Sequence, residues 1–167
     1  MHISSLTRLL AAAAFACFST ASAIAQPGDA APTQGTAWLN KQMAALAERN
    51  GADGWRVTPS GLRWRRIAGD GKGANPGPTD NVTVHYVGTF ADGREFDSSV
   101  RRGEPTSFPL NRVIDGWQEG VQLMGVGDKV EFAIPWQLAY GPEGKGPIPG
   151  GATLLFTVEL LGVEPAG

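Results

Sequence analysis

Beyond Gly54 the chain consists mainly of short runs in which apolar and polar side chains alternate, and each run ends at a cluster of turn residues. The alternating runs are residues 61–67, 82–87, 129–134 and 153–161. A period of two is typical of β-strands with one buried face, because successive side chains point to opposite sides of a sheet. The clusters between the runs are rich in glycine, proline and aspartate, the residues that tight turns require. The pattern therefore predicts a largely antiparallel sheet.

One segment in this part of the chain has a helical pattern, from Gly116 to Met124, and it is short. A sheet with a single helix packed on one face is an α+β architecture. We therefore predict one α+β domain over residues 54–167.

Residues 1–25 have the three-part layout of a secretory signal peptide, with basic, apolar and small residues in that order. The apolar run, residues 9–18, is shorter than the roughly 20 residues that a membrane-spanning helix needs. We expect cleavage after Ala25 or Ala23 and export to the bacterial periplasm. The alternative is a lipoprotein acylated at Cys17, but the three residues before this cysteine lack the expected aliphatic side chain.

Cleavage would remove Cys17, the only cysteine of the chain. The mature protein would then contain no disulfide, thiolate nucleophile or cysteine-bound metal. Because Arg8 is the only acidic or basic side chain lost besides His2, 13 basic and 16 acidic residues would remain, a net charge of −3 with histidine neutral. A nucleic-acid-binding surface is basic, so this balance disfavours one. We expect no cofactor, no metal, no nucleic-acid partner and no membrane span.

Residues 26–35 are small, polar and turn-forming, and we interpret them as a flexible tether. Thr36 is suited to cap a helix, and residues 36–53 are predicted to form an amphipathic N-terminal helix. Its apolar stripe comprises Leu39, Met43 and Leu46. We expect the stripe to pack on the following domain of the same chain, which favours a monomer. The alternative is a homodimer in which the helix packs against a second copy.

The polar residues do not form the pattern of a hydrolase or a metal enzyme. His85 is the only histidine after the signal segment, which leaves no imidazole pair and no histidine-rich metal site. A triad of Ser98, His85 and Asp97 lacks the Gly-x-Ser-x-Gly turn. Strand alternation also turns His85 to the sheet face opposite Tyr86. The glycines of residues 69–77 are followed by neither a helix nor Lys-Ser or Lys-Thr, which disfavours a phosphate-binding loop.

What remains is a set of aromatic side chains near the ends of the predicted elements. They are Tyr86, Phe96, Phe108, Trp117, Tyr140 and Phe156. Each of them alone is suited to fill a core. Trp117 is the exception, because it lies in the first turn of the short helix, where a large ring can form the floor of a cavity.

Five strings within residues 55–164 resemble the FKBP-type peptidyl-prolyl cis/trans isomerases. In one-letter code they read VHYVG from residue 84, DG from 92 followed by FDSS from 96, VIDGWQEG from 113, AYG from 139, and IP from 148 followed by ATLLF from 152. Their common order and spacing identify the chain as a member of that family. The resemblance implies a five- to six-stranded antiparallel sheet wrapped around one short α-helix, with a shallow apolar pocket between them.

The resemblance also implies a role for each residue of the pocket. Trp117 would form its floor. The walls would be Tyr86, Phe96, Phe108, Val113, Ile114, Ile148 and Phe156. The backbone N–H of Ile114 and the hydroxyl of Tyr140 would donate hydrogen bonds to carbonyl groups of the ligand. Asp97 would be the one carboxylate, with Arg102 nearby, and would either touch the substrate or orient Tyr86 or Arg102.

The implied activity is rotation about the bond before proline in exported proteins, which assists their folding. Its partners would be proline-containing polypeptides with an apolar residue before the proline. A binding module that holds such segments without useful turnover is the alternative. Thr106 and Pro147 depart from the eukaryotic drug-binding members, which carry an aromatic and an aliphatic residue there. Macrolide inhibitors are therefore expected to bind less tightly.

Overall fold

The computed structural model describes residues 35–166, so the predictions for residues 1–34 lie outside the described residues. Within that range the α-helices are α1 Thr36–Ala47, α2 Ser99–Arg102 and α3 Asp115–Val121. The strands are β1 Arg56–Val57, β2 Arg63–Ala68, β3 Asn81–Phe90, β4 Glu95–Ser98, β5 Thr106–Pro109, β6 Lys129–Ile134, β7 Gly144–Lys145, β8 Ile148–Pro149 and β9 Leu154–Glu164. None of the helices in this part of the chain is long and apolar enough to cross a membrane.

Seven of the strands form one antiparallel sheet in the order β1-β2-β6-β9-β3-β4, and β5 pairs with β3 beside β4. The two longest strands, β3 and β9, pair from Asn81↔Glu164 to Phe90↔Leu154 and form the spine of the sheet. The predicted α+β class is confirmed. The count is one strand above the predicted range, because the two residues of β1 are too few to produce an alternating pattern. Strands β7 and β8 form a separate hairpin.

Helix α3 packs directly on β6 because two glycines face that strand. A Cβ placed on Gly116 would lie 2.4 Å from Ile134 Cγ2, and one on Gly120 would lie 2.6 Å from Phe132 Cε1. Residues four apart share one face of a helix, so both glycines bring the helix backbone against the sheet. This close approach sets the distance between Trp117 and the sheet. Trp117 lies between the two glycines in the sequence and is only 5% exposed.

Helix α1 is shorter than predicted. It begins at Thr36 but ends at Ala47, and the rest of the predicted span is a turn followed by a 3₁₀ helix at Ala52–Gly54. Gly51 between them has a φ of 100°, a left-handed conformation that interrupts a right-handed helix. The prediction of Thr36 as the capping residue is wrong, because Gly35 occupies the N-cap position and no side chain caps the helix.

Helix α1 packs on the domain of its own chain, mainly through a face beside the predicted stripe. Its inward face carries Trp38, Gln42 and Ala45, of which Gln42 and Ala45 are each 6% exposed. Of the predicted stripe, Leu39 is 43% and Met43 is 68% exposed, whereas Leu46 is half-buried. The domain presents polar backbone and hydroxyl groups to the helix, so an amide side chain satisfies this contact better than an aliphatic one.

Candidate active site

A cavity of about 470 Å³ lies between α3, the inner face of the sheet and the hairpin of β7 and β8. Nine of the eleven predicted site residues line it, namely Tyr86, Phe96, Asp97, Phe108, Val113, Ile114, Trp117, Tyr140 and Phe156. The structure adds Thr106, Arg112 and Lys145 to the lining. Arg112 and Lys145 carried no signal in the sequence, because both are exposed polar residues next to turns.

The floor and walls of the cavity are aromatic rings that pack edge to face. Trp117 meets Tyr86 at a centroid distance of 5.3 Å and an interplanar angle of 89°, and meets Phe156 at 5.3 Å and 86°. Phe108 packs on Trp117 in a tilted arrangement, at 5.4 Å and 59°. Phe96 in turn meets Phe156 at 5.5 Å. Contacts of this kind fix the orientation of the rings, so the aromatic part of the cavity is preformed. We call it the aromatic cup; it consists of Tyr86, Phe96, Phe108, Trp117 and Phe156.

One side of the cavity is a closed polar network of Tyr86, Asp97 and Arg102. The Tyr86 hydroxyl donates to Asp97 Oδ2, and Arg102 Nη1 donates to Asp97 Oδ1. Arg102 Nη2 reaches the Tyr86 hydroxyl at 3.1 Å and Thr106 Oγ1 at 3.2 Å. Both carboxylate oxygens of Asp97 are therefore occupied by partners from the protein. Arg102 contributes by holding this network and does not itself line the cavity.

The network shifts the pKa values of its members in opposite directions. Burial, and then the hydrogen bond to Asp97, raise the pKa of Tyr86 above its ordinary value. Burial alone would raise the pKa of Asp97, but the hydrogen bonds from Tyr86 and Arg102 outweigh it and lower that pKa. At neutral pH Tyr86 is thus a neutral donor and Asp97 a charged acceptor, which is the arrangement that the hydrogen bonds require.

Ser99 is a positioning residue that the sequence interpretation missed. It is fully buried, and its Oγ accepts a hydrogen bond of 2.7 Å from the backbone N–H of Tyr86. The same oxygen lies 3.0 Å from His85 Nδ1. His85 thus pairs with Ser99, while Ser98 accepts from Arg101 N and caps α2. No catalytic triad assembles among the described residues, as the strand alternation predicts.

The opposite side of the cavity carries two donors with no partner in the described part of the chain. The backbone N–H of Ile114 makes no hydrogen bond there, because Ile114 precedes α3 and only its carbonyl joins the helix, accepting from Trp117 and Gln118. The Tyr140 hydroxyl likewise has no partner among residues 35–166. Burial, and then the charge of Asp97, raise the pKa of Tyr140, so the hydroxyl keeps its proton at neutral pH.

Tyr140 immediately precedes the hairpin of residues 141–151, which borders the cavity through Lys145. The hairpin is closed by Gly151 N–H donating to Gly141 O at 2.9 Å and by Gly144 N–H donating to Tyr140 O at 3.1 Å. Ile148 is 7% exposed and belongs to the core; it does not line the cavity in this structure. Its contact with substrate stays a prediction.

A second cavity, of about 400 Å³, lies on the outer face of the sheet. Its rim is charged, and Arg65 and Glu131 form a salt bridge of 2.5 Å across it. Arg49 and Arg65 stack on Trp55 at 5.5 and 5.0 Å from the ring centroid. These contacts engage Arg49, Arg65 and the Glu131 carboxylate within the protein. The aromatic cavity is therefore the better candidate, since it combines apolar walls with unpaired donors.

The chain is similar to known proteins in sequence. Residues 72–161 match the family model described as FKBP-type peptidyl-prolyl cis-trans isomerase. A protein of Aeromonas hydrophila named FKBP-type peptidyl-prolyl cis-trans isomerase FkpA is 55% identical over 122 residues, 73% of this chain and 44% of that protein. The FKBP-type 22 kDa isomerase of Escherichia coli is 52% identical over 70% of this chain and 56% of its own length.

The fold agrees as well. The crystal structure of FkpA from Escherichia coli superposes with a TM-score of 0.74 at 42% identity and covers 77% of this chain and 60% of that one. The chain spans about half the length of the two curated relatives. The segment that matches the family model, residues 72–161, contains all nine of the predicted residues that line the cavity. On sequence, fold and cavity together, the chain belongs to the FKBP-type peptidyl-prolyl cis-trans isomerases.

Proposed function

We propose that this chain accelerates rotation about X-Pro bonds in polypeptides bound at the aromatic cavity. The uncatalysed rotation has a barrier of about 18–20 kcal/mol and takes tens to hundreds of seconds. A planar amide is stiffened by resonance that separates charge, and the amide twisted by a quarter turn has lost that resonance. Transfer from water to an apolar cup therefore disfavours the planar state more than the twisted one, which lowers the barrier.

In this proposal the two free donors hold the substrate while the bond turns. The Ile114 N–H and the Tyr140 hydroxyl would bind carbonyl groups on one side of the proline, and the aromatic C–H edges of the cup would meet the carbonyl that rotates. Such a mechanism breaks no bond, so it requires no acid, base or nucleophile. A millionfold acceleration would need about 8 kcal/mol from desolvation, orientation and hydrogen bonding together.

The observation that carries the proposal is the pairing of an aromatic cup with two unpaired donors on one rim, where the only carboxylate is already engaged by Tyr86 and Arg102. The test is kcat/KM on a short Leu-Pro peptide for the chain from Gln26, beside Trp117→Leu and Trp136→Leu. Trp136 is half-buried outside the cavity and provides the matched control. Clear acceleration that falls only in Trp117→Leu supports an isomerase, whereas no acceleration over buffer would leave a binding module.

Export to the bacterial periplasm is part of the proposal, because residues 1–25 have the layout of a signal peptide. Unfolded chains that arrive there populate cis X-Pro at roughly 10–30% and correct it slowly, so an isomerase is useful in that compartment. Cell fractionation followed by mass spectrometry of the N-terminus tests this. A periplasmic product beginning at Gln26 or Ile24 is expected. An intact cytoplasmic chain, or one lipidated at Cys17, would contradict it.

The proposed partners are proline-containing polypeptides, and the proposed oligomeric state is a monomer, because the inward face of α1 is occupied by its own domain. Macrolide inhibitors would enter the same cavity, weakly, because the small Thr106 leaves one wall without a ring and its hydroxyl is engaged by Arg102. Sedimentation at high concentration tests the first point, and a homodimer through Leu39 and Met43 would overturn it. Inhibition titration tests the second.

A further inference from the structure

Helix α1 is joined to the domain through a reciprocal pair of hydrogen bonds between Gln42 and Thr153. The backbone N–H of Thr153 donates to Gln42 Oε1 at 3.0 Å, and Thr153 Oγ1 donates to the backbone carbonyl of Gln42 at 3.2 Å. Gln42 is 6% exposed and Thr153 is fully buried. A buried backbone N–H needs a partner, and here it comes from a side chain 111 residues away in the sequence.

Trp38 makes a second contact one turn earlier on the same face of α1. A Cβ placed on Gly151 would lie 3.4 Å from Trp38 Cζ3, so the indole ring packs against this glycine. Gly151 has a φ of 73°, a conformation that side-chain-bearing residues rarely adopt. Trp38 and Pro149 of β8 also line the same small cavity. Trp38 and Gln42 thus cover the C-terminal leg of the hairpin from Pro149 to Thr153.

This C-terminal leg is hydrogen-bonded to the start of the hairpin, next to Tyr140, whose hydroxyl is one of the two unpaired donors of the cavity. Gly151 N–H bonds to Gly141 O, and Gly141 follows Tyr140 directly. Lys145, at the far end of the hairpin in β7, lines the cavity mouth. A shift of the C-terminal leg therefore moves the Gly141 carbonyl and, through it, the ring of Tyr140.

We infer that Gln42 and Trp38 are positioning residues, which hold the base of the hairpin so that the Tyr140 hydroxyl stays directed at the bound substrate. Helix α1 then acts on the site without contributing to its lining. The kinetic side of this inference rests on the proposed isomerase function, and the structural side does not.

The test is a reciprocal pair of variants at adjacent positions of α1. Gln42→Met keeps the volume and the helix propensity but removes the acceptor of Thr153 N–H. Met43→Gln makes the opposite exchange at a position that is 68% exposed and serves as the control. Both are measured by amide hydrogen exchange and by kcat and KM on the Leu-Pro peptide.

For Gln42→Met we expect exchange at Gly144, Gly151 and Thr153 to speed up by about tenfold or more, while the β3 and β9 amides keep their protection. KM should rise about threefold to tenfold with kcat within about twofold, because a misplaced donor weakens ground-state and transition-state binding alike. Met43→Gln should change neither. Gln42→Glu, which keeps an acceptor oxygen, should restore part of the protection.

Unchanged exchange in the hairpin of Gln42→Met would overturn the inference, as would a uniform rise across the whole sheet, which indicates general destabilisation. If Gln42→Met does not fold, Trp38→Leu carries the same test, because it leaves both Gln42 bonds in place. A wild-type chain without turnover would contradict the proposed function. The exchange pattern would still show whether α1 holds the base of the hairpin.

Discussion

The two sides of the cavity contain the same kind of group, a tyrosine hydroxyl, in opposite states. On one side the Tyr86 hydroxyl and both carboxylate oxygens of Asp97 have hydrogen-bond partners inside the protein, from one another and from Arg102. On the other side the hydroxyl of Tyr140 and the N–H of Ile114 have none among residues 35–166. The first arrangement is complete within the protein, whereas the second leaves two donors available to a carbonyl group of a ligand.

This difference defines a scaffold side, whose polar groups hold the cavity in shape, and a substrate side, whose donors are available to a ligand. The distinction does not depend on residue type, because each side contains a tyrosine. A donor that lines an apolar cavity and has no partner in the protein is available to a ligand that supplies the acceptor. Asp97 belongs to the scaffold side as well, because its two carboxylate oxygens already accept hydrogen bonds from Tyr86 and Arg102. Of the two roles that the sequence left open for Asp97, the geometry favours orientation of Tyr86 and Arg102.

The largest effect is expected in α3, the helix that carries Trp117 on the floor of the cavity. Gly120→Ala would place a methyl group 2.6 Å from Phe132 Cε1 and push α3 away from β6. Overpacking of this kind costs about 1–3 kcal/mol, which outweighs the gain in helix propensity. Chemical denaturation should show the loss, with a parallel decrease in kcat/KM. Gly162→Ala, whose nearest neighbour is Thr83 Cβ at 3.9 Å, is the control and should be close to neutral.

The next effect should be confined to the open side. Ile114 has a φ of −59° and an unpaired N–H, so proline fits its backbone and removes only the donor and the side chain. Ile114→Ala trims the side chain but keeps the N–H. We expect kcat/KM of the proline variant to be about tenfold below that of the alanine variant, equivalent to about 1.4 kcal/mol. Equal values would mean that this N–H does not bind substrate.

A smaller effect, on stability, is expected at the closed side. Asp97→Asn weakens the network and should lower the free energy of unfolding by about 1 kcal/mol or less, because the side chain is 42% exposed and solvent screens it. The pKa of Asp97 is lowered by folding. Its contribution is therefore present above the unfolded pKa, about 3.9, and disappears as the pH falls through the folded value.

The stability difference between wild type and Asp97→Asn should accordingly be constant from about pH 5 to 8 and vanish in stronger acid. Denaturation curves across that range measure it. A large decrease in kcat/KM for Asp97→Asn with unchanged stability would instead place the carboxylate in contact with the substrate.

The smallest effect is that of pH on turnover. The pKa values of both tyrosines are raised and that of Asp97 is lowered, so none of these three groups changes its charge near neutrality. We expect kcat/KM to vary by less than about twofold between pH 6 and 9. A bell-shaped profile would indicate acid and base catalysis and would contradict the proposed mechanism.

The sequence predicted the α+β class and most of the cavity, because strand alternation and the five family strings depend on local pattern. It did not predict the face of α1, since apolar spacing favoured Leu39 and Met43 while the fold uses Gln42 to satisfy a distant backbone N–H. Ser99 was missed for the same reason. Its role depends on the Tyr86 N–H, a contact that exists only after the strands have paired.

The most direct test of the account is one matched comparison, Tyr140→Phe beside Tyr86→Phe, each measured for kcat/KM on the Leu-Pro peptide and for the free energy of unfolding. We expect Tyr140→Phe to lower kcat/KM about five- to tenfold at unchanged stability, the value of one hydrogen bond to substrate. Tyr86→Phe should lose about 1 kcal/mol of stability and keep kcat/KM within about threefold. The reverse pattern, or equal losses of activity, would contradict the division of the cavity into a scaffold side and a substrate side.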